Sequence, residues 1–386
     1  MGQLNFITAG ESHGKGLVAI IEGMVAGLSI SEEYIAQDLK RRQAGYGRGA
    51  RMKIERDKAE IISGVRHGFT IGSPISLVIW NRDWENWQET MSVTPVDKEI
   101  ETVTSPRPGH ADLAGVTKYG TGDIRPILER ASARETAARV AVGSVARRFL
   151  EEFGIVIHSH TINIGGNWAS LDKPVDWDHI ENSPVRCGNA AAEKMMIAAI
   201  DEAKADGDTL GGVFEVVATG VPVGLGSHVQ WHRRLDSQIT QAMMSINAVK
   251  GVEIGDGFAL ANVKGAQAHD IVEPGFKGQS PSWHRPTNRA GGIEGGISNG
   301  QSIIVRAVVK PIATLGKPLP SVDLSTGKIT KAHYERSDIC VVPAAGVIGE
   351  AMLAIVLANV ALEKFGGDSL KEVLANYNNY INSTSF

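Results

Sequence analysis

Cysteine is scarce: Cys187 and Cys340 are the two in 386 residues, far apart, and neither sits in a C-x-x-C pair or beside a His-rich stretch. That argues against a disulfide framework and against a zinc site, and it suits a reducing, cytoplasmic compartment with no bound metal. A basic excess is missing too. With 39 Lys and Arg against 43 Asp and Glu, the formal net charge is −4 and the pI about 6.3. Nucleic-acid and membrane-surface binders need a broad positive field, so both classes are set aside. Long apolar runs are lacking as well. The most apolar stretch, "AMLAIVLANVALEKFGG", is uncharged only from Ala351 to Leu362, short of the roughly 20 residues of a spanning helix, and its Gly pair predicts a helix stop. It is expected to be a buried helix. The opening "MGQLNFITAG" has no basic n-region or apolar h-region, and Phe6 stands where a myristoylation signal has Ser or Thr, so neither export nor a lipid anchor is expected. Asn382-Ser-Thr fits a glycosylation acceptor, a common chance tripeptide that a cytoplasmic chain never exposes to the enzyme.

Hydrophobic residues make up 42% of the chain, enough for a large core, and length alone allows two or three domains or one big one. Glycine is abundant, at 44 residues, and clusters near His, Arg and Asn, so many turns are specified. Helical periodicity predicts helices over 31–43, with Ser31 as N-cap, 129–153, 190–206, 234–249 and 344–365. Alternation predicts strands over 17–22, 60–65, 74–80, 213–219 and 302–309. Two pairs of segments recur in the same order: "GMVAGLS" (23–29) with "GVPVGLG" (220–226), and "SGVRHGFTIGSPISLVI" (63–79) with "GGIEGGISNGQSIIVRA" (291–307). A duplicated half is the expectation, with halves of about 1–210 and 211–386 sharing one core and the site between them. Chance likeness of Gly-rich segments is the alternative.

Chemistry-bearing residues concentrate in a few stretches. Between Lys40 and Arg56, "KRRQAGYGRGARMKIER" has seven basic side chains against Glu55, and its Gly-rich turn frees the backbone to approach a ligand. Guanidinium forks suit phosphate and carboxylate oxygens; a solvated face is the competing reading. In "ERASARETAARVA", Arg130 and Arg134 lie one helical turn apart around Ser132, at what reads as a helix start, where free amides attract anions. Arg107 in "SPRPGHADLAG" and Arg336 in "YERSDIC" add to them. Converging, they would hold a small polyanion; singly, each is a surface salt bridge worth about 0 to 1 kcal/mol. His13 in "TAGESHGKG" and His110 in "SPRPGHADLAG" are imidazoles on rigid turns with cationic neighbours. A ring among cations takes up a proton more readily once an anion binds, and can then give it to a leaving oxyanion. The first stretch is not a Walker A loop, because its spacing is one short and Gly16 replaces the Ser or Thr. "TNRAGGIEGGISNG" (287–300) precedes a strand instead of following one, which excludes a dinucleotide fingerprint. Its exposed amides and carbonyls suit a planar heterocycle, or form a tight structural turn.

Taken together, "GESHG", "GYGRGARM", "RPGHADLAG", "ERASARETAARVA", "INAVKGVEIGDGF", "NRAGGIEGGISNG" and "RSDICVVPAAGV", in this order from about residue 3 to 370, resemble the chorismate synthase family. The resemblance implies an α+β fold, a β-α-β sandwich with helices between two antiparallel sheets, assembled as a homotetramer, and it overrides the two-domain expectation. It implies a lyase of the shikimate pathway that converts 5-enolpyruvylshikimate 3-phosphate to chorismate by 1,4-elimination of phosphate. The cofactor implied is reduced FMN, without net redox change, delivered by a separate flavin reductase, since no reductase domain is evident; NADP is a further possible ligand. By the resemblance, His13 protonates the leaving phosphate, His110 attends the flavin, and Asp338 assists removal of the C6 hydrogen. FMN would be held by Arg130, Ala131, Ser132, Asn247, Ala248, Gly295, Lys310, Pro311, Ile312, Ala313, Thr314 and Arg336. Arg42, Arg48, Arg107 and Arg134 would bind substrate or NADP. A non-catalytic binder of a phosphorylated metabolite and an ordinary flavoprotein oxidoreductase are the alternatives; the first leaves both histidines idle, and the second requires net electron transfer.

Overall fold

The computed structural model describes residues 4–49, 56–170, 175–275, 283–335 and 337–383. Two antiparallel sheets carry the mixed α+β architecture. The first joins β1 (Asn5–Ala9), β2 (Gly16–Glu22), β3 (Glu60–Ser63) and β4 (Ile75–Trp80) in the order β1-β2-β4-β3. Its register pairs Leu17 with Ile79 and Ala19 with Leu77, so alternate residues of both strands point to one buried face. The second sheet runs β8-β9-β7-β5-β6, from β5 (Val156–Ile164), β6 (Asn167–Trp168), β7 (Gly212–Thr219), β8 (Val249–Ile254) and β9 (Ile303–Val309).

The helices that frame the core and the site are α1 (Glu32–Gln43), α2 (Asp112–Tyr119), α3 (Arg125–Arg130), α4 (Thr136–Glu151), α5 (Ala190–Asp206), α6 (Leu235–Met244), α7 (Val342–Phe365) and α8 (Leu370–Ser383), besides short helical turns at Trp177–Asn182 and Gly265–Ala268. Helix α4 packs on β1, β2 and β4, α7 packs on β5 and β7, and α4 and α7 lie against each other. One hydrophobic cluster consequently runs through both sheets and both helices. The α4–α7 approach is close because Gly143 faces Ala351: a Cβ on Gly143 would stand 2.3 Å from the Ala351 Cβ.

Ser31 caps α1 as expected, accepting the Tyr34 N–H. At 24 residues, α7 is long and apolar enough to cross a bilayer by length and composition, so shortness does not exclude a span as the sequence suggested; 94% of its most apolar window is buried inside the protein. Its internal charge, Glu350, is wholly buried and met by Arg41, Arg147 and Arg186 and by the Ser159 hydroxyl. Burial pushes that carboxyl up, but the three guanidinium groups override it and hold it well below the usual carboxylate range.

Two helix expectations need correction. The 129–153 pattern is broken into α3, a single 3₁₀ turn over Ala133–Glu135, and α4, because Ser132 turns extended and takes the Arg134 N–H on its hydroxyl. The 234–249 pattern stops at Met244, and the chain passes through Ala248 at φ +66 into β8.

The repeated segments carry matching hydrogen bonds. In the first, the Thr70 hydroxyl accepts the Leu28 N–H (2.9 Å) and donates to the Val25 carbonyl (2.6 Å). In the second, the Ser298 hydroxyl accepts the Leu225 N–H (2.8 Å) and donates to the Pro222 carbonyl (2.6 Å). The backbone bonds of Gly27, Thr70 and Ile71 likewise match those of Gly224, Ser298 and Asn299.

Candidate active site

His13 sits on the turn between β1 and β2, with 11% of its side chain exposed. Its ring Nδ1 lies 2.9 and 3.0 Å from the two carboxylate oxygens of Glu129, on α3, and its backbone N–H donates to the same carboxylate at 2.7 Å. Glu129 is fully buried. The Ser12 N–H reaches the Glu129 carbonyl at 3.1 Å, so one residue of α3 pins two successive residues of the turn. Trp87 stacks on the imidazole with ring centroids 3.8 Å apart. Behind it, Arg125 bonds Glu129 (3.2 Å) and Glu335 (2.6 Å), and His333 lies 3.4 Å from Glu335. Burial raises the Glu335 carboxyl, but His333 and Arg125, helped by the His13 charge, leave it lowered to about 2. A cavity of about 410 Å³ opens beside this group, with Trp87, Arg125 and His333 in its wall.

His110 is built by a parallel device. Gly109 takes φ +79, a conformation that glycine adopts without strain, and turns the chain into α2. His110 Nδ1 lies 2.5 Å from Asp112 Oδ1. Asp112 also accepts the Arg107 backbone N–H (3.0 Å) and Nε (2.9 Å), while Arg107 Nη1 donates to the Thr314 hydroxyl at 3.0 Å. Burial works against the Asp112 charge, yet hydrogen bonds from His110 and Arg107 prevail and hold its carboxyl below the usual range. An ionised carboxylate only accepts, so each imidazole presents its Nδ1 hydrogen to the carboxylate. The cationic neighbours expected for the two rings are present, Arg107 3.0 Å from His110 Nδ1 and Arg125 on the Glu129 that holds His13, but a buried carboxylate also lies against each ring; for His13 the chain order hides it, since Glu129 comes from a helix 116 residues away.

The proposed anion-binding arginines are all buried or nearly so and each already meets an acid. Arg134 lies 2.5 Å and Arg42 3.6 Å from Asp57, with Arg42 also donating to the Thr136 hydroxyl and the Ala133 carbonyl, both at 2.9 Å. Arg48 pairs with Asp338 at 2.8 Å, and the Gly49 N–H donates to the same carboxylate at 2.6 Å. Arg51 and Lys53 of the basic run lie outside the described residues, as does Arg336.

Other sites read from the sequence form a connected path between the two histidines. Ser12 and Ser132 bring their hydroxyls to 3.1 Å, Asn247 donates to the Ala131 carbonyl at 3.0 Å, the Lys310 N–H reaches the Ala248 carbonyl at 2.9 Å, and Lys310 Nζ donates to the Gly109 carbonyl. Arg130 fastens the β1 end through the Thr8 and Gly10 carbonyls, at 3.0 and 3.1 Å. Thr314 is buried against Arg107, and the Thr209 hydroxyl donates to the Ile312 carbonyl. Pro311 and Ala313 complete that segment between β9 and Thr314. Gly295 lies apart, on the tight turn of the second repeat at φ +61, and a Cβ there would meet nothing within 4 Å. Reading by residue type missed Glu129, Asp112, Trp87, Asp57 and Glu335. Asp112 and Glu129 stood inside quoted motifs, and the two-residue spacing from His110 was the one available signal.

The chorismate synthase family model matches residues 4–362. The chain belongs to the chorismate synthase family. A chorismate synthase of Streptomyces avermitilis is 52% identical, with 99% of each chain covered. That of Mycolicibacterium smegmatis is 54% identical, covering 99% of this chain and 97% of its own. That of Moorella thermoacetica is 55% identical, over 98% and 99%. A crystal structure of chorismate synthase superposes with a TM-score of 0.80 at 44% identity, covering 99% of this chain and 98% of that one. The activity is that of a chorismate synthase, a phosphate-eliminating lyase that produces chorismate in the shikimate pathway. Binder and oxidoreductase readings fall away.

Proposed function

We propose that His13 is the general acid for the departing 3-phosphate of 5-enolpyruvylshikimate 3-phosphate. The observation that carries this is the buried Glu129 carboxylate on His13 Nδ1, which occupies the Nδ1 hydrogen and so assigns proton delivery to the ester oxygen to Nε2. His110, held by Asp112 in the same way, attends the cofactor, and Asp338 assists loss of the C6 hydrogen. Arg42, Arg48, Arg107 and Arg134 meet the phosphate and two carboxylates of the substrate. Arg42 and Arg134 share Asp57, which leaves one positive charge in excess there, and Arg48 would exchange part of its Asp338 contact for a substrate oxygen.

The family uses reduced FMN, which supplies electron density to the breaking C–O bond without net redox change. One feature of this chain fits a flavin: Asn247 Oδ1 is buried and has no hydrogen-bond partner among the described residues, an acceptor that a ring N–H would satisfy. With Asn247 would go Arg130, Ala131, Ser132, Ala248, Gly295, Lys310 to Thr314 and Arg336. The decisive experiment mixes the protein anaerobically with chemically reduced FMN and substrate. Phosphate release without loss of reductant is expected; stoichiometric flavin oxidation or silence overturns the reading. Loss of rate in His13→Ala with near-normal substrate affinity is expected alongside, and unchanged turnover removes His13 from the mechanism.

We further infer that the fold is a sandwich, with α4 and α7 between two sheets, made of duplicated halves of about 1–210 and 211–386; the matched Thr70 and Ser298 hydroxyls support it. A homotetramer is the proposed assembly, supported by exposed Ile7, Ile20 and Trp80 on the outer face of the first sheet, and sedimentation tests it. A separate reductase would supply reduced flavin, NADP is a possible ligand at Arg42 and Arg48, and two unpaired buried thiols suit a cytoplasmic setting.

A further inference from the structure

Nothing in the family's reaction requires the carboxylate of Glu129 to be where it is, yet it is the most heavily committed acid around His13. We propose that Glu129 is the positioning residue of the proton donor: it fixes the turn, the ring orientation and the tautomer of His13. The inference rests on His13 being the general acid, and its test is separable from that reading.

Three donors converge on this one carboxylate. The His13 backbone N–H reaches it at 2.7 Å, His13 Nδ1 at 2.9 Å and Arg125 Nη1 at 3.2 Å. Two of the three, the peptide N–H and the guanidinium, can only donate; the imidazole nitrogen alone can switch between donor and acceptor. With a carboxylate in place, Nδ1 must carry hydrogen. The clamp is also geometrically closed. Glu129 has no exposed side-chain surface, its backbone carbonyl holds the Ser12 N–H, and Trp87 covers the ring face at 3.8 Å. The imidazole can therefore neither flip nor slide without breaking bonds in both α3 and the turn. Proton exchange with substrate is thereby assigned to Nε2. Of the other groups packed around the carboxylate, Arg125 bonds Glu335 as well as Glu129, and His333 lies against Glu335, so among the described residues Glu129 is the acid seen bonded to the ring.

Glu129→Gln is the discriminating variant. The peptide N–H and Arg125 hold opposite oxygens of the carboxylate, so glutamine keeps an acceptor for only one of them, and Nδ1, which straddles both atoms, then faces an amide N–H whose acceptor the ring supplies only by releasing the Nδ1 hydrogen. The neutral ring should then carry its hydrogen on Nε2. Ring-¹⁵N NMR of the full-length protein, with the His13 signals assigned by their loss in His13→Ala, should show the Nδ1–H form in the parent and the Nε2–H form in Glu129→Gln. Turnover with reduced FMN should fall on the order of 100-fold with KM changed less than about threefold, the size of a lost or misdirected general acid. Glu129→Asp keeps the charge and should recover part of the rate and the parent tautomer, which guards against a trivial folding loss. An Nε2–H tautomer in the parent, or an identical tautomer and rate in Glu129→Gln, overturns the proposal. If His13→Ala turns over normally while Glu129→Gln still changes the tautomer, the general-acid role fails and Glu129 stands as the residue that orients the ring.

Discussion

At the residue scale, the site is a set of cations and imidazoles each held by an acid from another element, and those pairings set what substitutions do. Asp112→Asn keeps the shape but leaves Arg107 buried without its counter-charge. Breaking one side of such a pair costs about 3 kcal/mol, so the urea unfolding midpoint should fall clearly; an unchanged midpoint would show that Arg107 reaches another anion. Arg48→Ala acts differently, because Arg48 faces Asp338 and is proposed to meet the substrate. It should weaken substrate binding more than turnover, and the parent's affinity should fall faster with added salt than the variant's; equal affinities return the segment to a plain basic face. The bearers of chemistry were legible here: His13, His110 and the arginines announce themselves by residue type on Gly-rich turns. Their partners were not. A carboxylate such as Glu129 or Asp57 looks ordinary in sequence, and what makes it functional is a contact between segments about 80 to 120 residues apart, which no local pattern records.

At the element scale, the two central helices depend on small residues where they touch. Gly143→Val on α4 would drive a side chain into Ala351 of α7, where even a Cβ stands 2.3 Å from its neighbour. Overpacking of this kind costs about 1 to 3 kcal/mol or more, and a lowered melting temperature checks it. The repeat gives a sharper test. Thr70→Val and Ser298→Ala each leave a buried peptide N–H and carbonyl without their hydroxyl, so both should destabilise by about 1 to 3 kcal/mol. A large loss in one and none in the other would show that the two turns are not equivalent. Periodicity read α1, α5 and α7 and strands β2, β4, β7 and β9 well, since each buries one face or is apolar throughout. It failed at Ser132, whose side chain ends a helical pattern by capping the next turn, and over β5. There the segment "VIHSHTINI" places His160 opposite Glu215, which in turn bonds Arg306. Polar residues satisfied across the sheet hide a buried strand from any hydrophobic pattern.

At the scale of the whole molecule, charge is carried inward on paired groups, and this makes stability depend on acid. Glu181 is raised by burial but lowered further by hydrogen bonds and charge from Arg186 and Arg41, ending at about 2. Glu335 ends at about 2 through His333 and Arg125, and Glu350 and Asp112 are held below the usual carboxylate range as well. For each group the folded value is below the unfolded one, near 4.5 for a glutamate. The unfolded chain therefore binds more protons between the two values, and stability falls with falling pH there. The contribution is complete above about pH 5 and is withdrawn as the pH drops through 4 toward 2. Urea midpoints measured from pH 7 downward should be level to about pH 5 and then decline steeply, with the α1–α7 region, which holds Arg41, Glu181 and Glu350, among the parts whose amides lose protection. A midpoint that stayed constant to pH 3 would mean that these carboxylates titrate as exposed ones do, and that the buried network around Glu350 is not holding the two helices together.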